Sequence, residues 1–282
     1  MATVGAPTVN LRERLERTAL THRAPFATGH MTWRRFGEGR PLVLLHGGHG
    51  SWWHWARNIE CLAERYTVWV PDLPGYGDSD LPAGASLVDL VDATVESLDH
   101  LVGGGAPVSL AGFSFGALVA ARMAERRGGV LRLALLGPGG HGGPRRPRGE
   151  LRAWRGLAPH SAEWDAVMHH NLLMHMLHDP AAIDEVALRI HGEACLATRF
   201  HSKTISRAGG LATSLDRYSG HLLLAWGEHD VTLVPDIVAN ALEQSRLTCR
   251  THTVPGAGHW VQYEAAQAVN ELLASWLEST NL

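Results

Sequence analysis

Cysteine is scarce in this 282-residue chain, with only Cys61, Cys195 and Cys249, far apart and without a C-x-x-C pair. An odd, scattered set excludes a disulfide frame and reads as the reduced thiols of a cytoplasmic protein. Long apolar runs are missing as well: none approaches the roughly 18 residues that a membrane span needs, and Arg132 interrupts "VLRLALLG". "MATVGAPTVNLRERLERTAL" holds no continuous apolar stretch of the kind a secretory signal carries, so a soluble protein that is not exported is expected. Charge of either sign is not in excess. Lys and Arg number 25 against 28 Asp and Glu, a formal charge of −3, which gives no electrostatic reason to expect nucleic acid or an acidic membrane as partner. "PRRPR" (144–148), without further basic clustering, reads as a solvated hinge. No internal repeat stands out. What is present in quantity is apolar residue, 45%, enough for a large core, together with 18 His and 10 Trp.

Short apolar runs alternate with helical patterns. "PLVLLHG" (41–47), "TVWVPD" (67–72), "PVSLAGFS" (107–114), "VLRLALLG" (130–137), "HLLLAWGEHD" (221–230) and "CRTHTVPG" (249–256) read as strands. Helices are expected near 53–64, 86–102, 115–127, 235–244 and 261–278. Continuous apolar strands separated by helices indicate an α/β fold with a mostly parallel sheet buried on both faces. "GHMTWRRFGEGR" (29–40) reads as a hairpin closed by its Gly-Glu-Gly turn. "GPGGHGGPRRPRG" (137–149) can continue neither helix nor sheet. The stretch that follows carries only helical signals: Ser161 as N-cap, Trp164, Met168, Leu172 and Met176 at i, i+4 spacing, and Asp179-Pro180 opening a helix to about residue 201. Residues 141–208 are therefore expected to form a helical lid over a core of 1–140 and 209–282.

"AGFSFG" (111–116) centres G-x-S-x-G on Ser114, between a buried strand and a helix of small residues. That setting holds a nucleophilic serine on a sharp turn, where side chains at 112 or 116 would collide, above a helix N-terminus that favours negative charge. A serine hydroxyl needs a base, and the base an orienting acid. Asp230 follows a later strand and His259 the next one. Glu228 competes for the acid, but Asp230 lies deeper into its loop; His229 and His252 compete for the base with weaker placement.

Four blocks in order, "LLHGGHGSW", "VPDLPGYGDSD", "LAGFSFG" and "WGEHD…GAGHWVQYE", resemble the α/β-hydrolase superfamily over about 25–140 and 209–282. By that resemblance Ser114 is nucleophile, Asp230 acid and His259 general base, and the amides of Phe115 and Gly48, or of His49 or Gly47 if the loop register differs, form the oxyanion hole. The last block looks most like the branch of esterases and meta-cleavage-product C–C hydrolases. Ala117 stands where that branch often has a second glycine, and the oxyanion loop lacks the proline common in the C–C hydrolases. Haloalkane dehalogenases and epoxide hydrolases of this fold use an aspartate nucleophile, so Ser114 argues against both. The resemblance implies two-step acyl transfer from a small carboxylic ester, apolar or aromatic or a monoester carrying a free carboxylate, with cleavage of vinylogous diketo acids as the alternative. A ligand-binding protein that has lost catalysis is disfavoured, since all three triad residue types are in place.

Candidate substrate contacts are His49, Trp260, Trp164 in the lid, and Arg199, which could clamp a substrate carboxylate. Arg189, Lys203 and Arg207 lie nearby in sequence, against which stands a solvated helix face with Glu185–Arg189 pairs. No cofactor is required. His46, His49 and His54 have no carboxylate in their stretch, and His175, His178 and Asp179 lose a shared face if Asp179 caps the next helix, so no metal is expected. His46 is expected to brace its loop, while Trp52, Trp53 and Trp55, read as helical, should diverge. A small-molecule substrate is the expected partner, and a homodimer is compatible with the sequence.

Overall fold

The computed structural model describes residues 11–243 and 249–279. Residues 1–10, part of the segment read for an export signal, and residue 244, the expected end of a helix, lie outside the described residues. The chain runs α1 (Leu11–Thr18), β1 (Leu20–Phe26), β2 (Gly29–Phe36), β3 (Arg40–Leu45), α2 (Ile59–Ala63), β4 (Tyr66–Pro71), α3 (Leu87–Val102), β5 (Val108–Phe113), α4 (Phe115–Arg127) and β6 (Val130–Leu136). A strand-free segment follows with α5 (Ala162–His175), α6 (Glu185–Ala197), α7 (Lys203–Arg207) and α8 (Leu211–Asp216). The sheet resumes with β7 (His221–Gly227), α9 (Pro235–Glu243), β8 (Cys249–Val254), α10 (Val261–Glu264) and α11 (Ala266–Glu278).

Eight strands form one sheet in the order β1-β2-β4-β3-β5-β6-β7-β8. β1 and β2 pair antiparallel, as do β2 and β4, and the remaining pairs are parallel. Strand alternation fills both faces. Leu42 and Leu44 of β3 enter one apolar layer and Val43 and Leu45 the other, and β7 divides Leu223 and Ala225 from Leu222 and Leu224 in the same way. Burying each such leucine stabilises the fold by about 2 kcal/mol. From β3 the chain turns to β4 on one side and then crosses to β5 on the other. That reversal leaves a crevice outside the carboxyl ends of β3 and β5, where the loops after both strands meet.

Several local expectations are corrected. Gly37-Glu38-Gly39 does not close a hairpin, because β4 lies between β2 and β3; the hairpin is β1–β2, turning at Ala27-Thr28. β1 was hidden because "LTHRAPF" is a half-exposed edge strand with little apolar signal. Trp52–Trp55 form a 3₁₀ turn rather than the start of an α-helix, so all three tryptophans of the stretch share one buried layer. Asp179 caps only a 3₁₀ turn at Pro180–Ala182, while Asp184 caps α6 by accepting from the Ala187 amide at 2.8 Å. The last helix breaks at Ala265. Among the described residues no helix is long and apolar enough to cross a membrane.

Candidate active site

Ser114 sits between β5 and α4 with φ 54° and ψ −115°, a strained turn for a residue with a side chain. The turn is tied down on both sides. Its amide donates to the Leu136 carbonyl at 2.9 Å, and its carbonyl accepts from Gly139 at 2.9 Å and Ala117 at 3.1 Å. The flanking glycines allow the close approach this requires. A Cβ on Gly116 would lie 2.6 Å from the Leu45 carbonyl oxygen, and one on Gly112 2.6 Å from Ala117 Cα.

The loops after β7 and β8 bring two side chains to this turn. His259 Nε2 lies 2.9 Å from Ser114 Oγ, and His259 Nδ1 lies 2.9 Å from Asp230 Oδ2. The Thr232 amide and hydroxyl each donate to Asp230 Oδ1 at 2.7 Å. With Asp230 a hydrogen-bond acceptor, Nδ1 carries the proton and Nε2 is left to accept from the serine hydroxyl. Thr232 Oγ1 stands 3.1 Å from the same Nδ1 and closes the triangle. Burial by itself would raise the Asp230 carboxyl. The His259 ring and the Thr232 donors outweigh it and hold the group below the usual carboxylate range. Of the competitors, Glu228 turns to the Gly256 amide at 3.0 Å and His229 stacks on His178 at 3.6 Å between ring centroids.

The loop after β3 packs on the same turn. A Cβ on Gly47 would lie 3.1 Å from Ser114 Cβ, and one on Gly48 3.8 Å from Phe115 Cβ and 2.5 Å from Ser202 Oγ. Phe115 opens α4, so its amide has no carbonyl a turn earlier. Among the described residues neither its amide nor that of Gly48 has a protein acceptor. His46 braces this loop. Its Nε2 accepts from the Leu73 amide at 2.9 Å, so its Nδ1 is the donor to the Gly47 carbonyl at 2.8 Å. Burial pushes its pKa down to about 4, with the Asp72 charge and the Gly47 bond opposing. His54 accepts from the Gly47 amide at 3.3 Å and is likewise held well below the ordinary histidine value by burial.

Ser114, His259 and Gly48 open onto a cleft of about 310 Å³, in which His49, His175 and His191 also take part. His49 adopts φ 50°, and burial together with the neighbouring Arg155 lowers its pKa. The other three candidate contacts do not reach the cleft. Trp260 is fully buried, stacks on Tyr263 at 4.2 Å and donates from its indole to the His54 carbonyl at 3.0 Å. Trp164 packs α5 onto α6, where a Cβ on Gly192 would collide with its ring. Arg199 donates to the Gly77 carbonyl at 3.2 Å and to that of Ser79, clamping the loop after β4. In each case an internal partner fixed the side chain away from the space a ligand could fill.

Sequence reasoning missed Thr232, His175 and His191. It also read "PRRPR" as solvated, whereas Arg145 and Arg148 are half-buried and line the cleft. The available signal was position: the segment leaves the carboxyl end of β6, next to β5. Among the described residues no group of three or more His, Cys, Asp or Glu is arranged to hold a metal ion.

Residues 42–272 match the alpha/beta hydrolase family. The chain is 28% identical over 266 residues to 2-hydroxy-6-oxo-6-phenylhexa-2,4-dienoate hydrolase of Burkholderia cepacia, covering 86% of this chain and 88% of that one. It is 38% identical to soluble epoxide hydrolase of Corynebacterium sp. (strain C12), over 122 residues and 42% of each chain. The fold is similar to that of an esterase from Rhodococcus sp. ECU1013, with a TM-score of 0.76 at 19% identity, covering 94% of this chain and all of that one. This eight-stranded, mostly parallel sheet with its serine turn belongs to the alpha/beta hydrolase family.

Proposed function

We propose that the protein is a serine hydrolase that cleaves a small carboxylic ester by two-step acyl transfer. The observation that carries this reading is the unbroken hydrogen-bond chain Asp230–His259–Ser114, ending on a strained serine that opens into a cleft. Ser114 Oγ attacks the ester carbonyl as His259 Nε2 takes its proton. Asp230, held ionised, orients the ring and stabilises the imidazolium that forms. The amides of Gly48 and Phe115, which have no protein acceptor among the described residues, stabilise the oxyanion, each typically worth about 3 kcal/mol in such sites. His259 then returns its proton to the departing alkoxide, and water repeats the sequence on the acyl-enzyme. The helical segment between β6 and β7 serves as the lid: His175 at the end of α5, Met176 just after it and Lys203 from α7 border the same cleft as Ser114. The sites so far named require no cofactor for these steps.

The near-full-length similarity to a dienoate hydrolase favours one alternative, C–C cleavage of a vinylogous diketo acid on the same serine. A panel of aryl and alkyl esters beside a yellow ring-cleavage dienoate separates the two. Ester turnover that vanishes in Ser114→Ala supports the proposal, whereas fast bleaching of the dienoate with feeble esterolysis overturns it in favour of the alternative.

A further inference from the structure

Among the described residues, the cleft beside Ser114 is lined by five cations and no carboxylate. Arg145, Arg148 and Arg155 come from the segment after β6, and Lys203 and Arg207 from α7. Lys203 is the single lysine of the 282-residue chain. Among the described residues none of the five is ion-paired. Arg145 donates to the Ser206 carbonyl at 3.3 Å, Arg148 to that of Gly149 at 3.2 Å, and Arg155 lies 5.0 Å over the Trp154 ring. Elsewhere many of the arginines find acids: Arg12, Arg34, Arg57, Arg122, Arg126 and Arg127 each meet a carboxylate.

This concentration of unpaired charge runs against the chain as a whole, whose formal charge is −3. It also works against itself. Burial, and then the Arg207 charge, lowers the pKa of both Arg145 and Arg148. Arg145 and Arg148 are half-buried and Arg155, Lys203 and Arg207 exposed at the rim; like charges facing one space raise the free energy of the empty site, and an anion placed among them relieves it. The subsite lies close to the reacting serine. The Ser206 carbonyl, to which Arg145 donates, also accepts from the Gly140 amide at 2.9 Å, and Gly139 donates to the Ser114 carbonyl. Lys203 follows Ser202, whose hydroxyl abuts Gly48. Guanidinium forks suit a carboxylate in particular, and about 310 Å³ is at the small end for such sites.

We propose that Arg145, Arg148, Lys203 and Arg207 form an anion subsite that selects a small ester bearing a second, free carboxylate. The selection of an ester rests on the serine hydrolase reading; the binding of the carboxylate does not.

Calorimetry with glutarate, its uncharged diamide and inorganic phosphate tests the binding directly on the intact protein. Glutarate should bind, the diamide should not, and Arg145→Gln with Arg207→Gln should weaken glutarate about tenfold or more. Mass spectrometry after trinitrobenzenesulfonate treatment gives an independent reading, because Lys203 is the one side-chain amine; glutarate should protect it. That footprint uses the unaltered chain and stands even if the double variant does not fold. Turnover of monoethyl adipate should exceed that of ethyl hexanoate in kcat/KM, and the ratio should collapse in the variant. Equal binding of glutarate and the diamide, or an unprotected Lys203, overturns the subsite. Phosphate binding more tightly than glutarate overturns its assignment to a carboxylate. Glutarate binding without any ester turnover would keep the subsite and remove the hydrolase reading; ester turnover without glutarate binding or a preference for the adipate would do the reverse.

Discussion

Acidification should destabilise this protein between about pH 6.5 and 4, and the cause can be located in buried histidines. His46 is fully buried, with Leu73 N–H donating to Nε2 while Nδ1–H donates to the Gly47 carbonyl. Protonation would place a second N–H against the Leu73 donor, so the folded state resists it and the pKa falls to about 4. In the unfolded chain the same ring titrates near its ordinary value of 6.5. Between these values the unfolded state holds the extra proton, so stability falls as pH falls through 6.5 and the loss is complete below about 4. At about 1.4 kcal/mol per pH unit, His46 accounts for roughly 3 kcal/mol. His54 and His175, both pushed well below the usual value by burial, add losses of the same sign. His191, lowered to about 4 but half-buried against the cleft, adds less. The roughly 3 kcal/mol of His46 alone is already a sizeable part of a typical global stability of about 5–15 kcal/mol, and the other buried histidines act in the same direction. Asp230 does not offset this, because its depressed pKa contributes stability that is lost only at still lower pH. Urea unfolding at pH 7 and pH 5 checks the reasoning: the midpoint should drop steeply, with uptake of at least two protons per molecule by calorimetry. A midpoint unchanged between these pH values would refute it.

Three substitutions probe separate links in the chain of argument. Gly116→Ala forces a Cβ to 2.6 Å from the Leu45 carbonyl oxygen, a backbone atom that cannot swing aside, and should cost about 3 kcal/mol or more; thermal melts and folded yield report it. Asp230→Asn should leave the fold in place and lower kcat by about four orders of magnitude, the loss seen when a triad acid is neutralised in other serine enzymes, as read by steady-state ester hydrolysis. Trp260→Phe removes the indole donor to the His54 carbonyl and should lower stability by about 1–3 kcal/mol. Its KM should barely move, since Trp260 does not line the cleft; a large KM change would return it to the binding site.

The parts of the molecule legible in sequence are those written in local pattern. Continuous apolar runs at 41–45 and 221–227 and the small residues after Ser114 place the sheet and the serine turn, and the loops after β7 and β8 then carry Asp230 and His259 to it. What stayed hidden depends on partners distant in sequence. Arg199 reads as a free cation until the loop after β4 supplies the Gly77 and Ser79 carbonyls. Trp260 reads as a neighbour of His259 until Tyr263 and His54 bury it. Arg145 and Arg148 read as solvated because nothing in "PRRPR" shows that α7 folds back against them. The 3₁₀ turn at Trp52–Trp55 was missed for a related reason: Asp72, just past the neighbouring strand β4, holds the Trp52 amide at 3.0 Å, and no helix periodicity records that contact.

The central claim is that Ser114 is a nucleophile activated by His259. Treating the folded protein with a fluorophosphonate and mapping the adduct by mass spectrometry tests it most directly. The account predicts a single adduct on Ser114, sharply slowed in His259→Ala and absent in Ser114→Ala; a folded protein that takes no label, or takes it elsewhere, would contradict it.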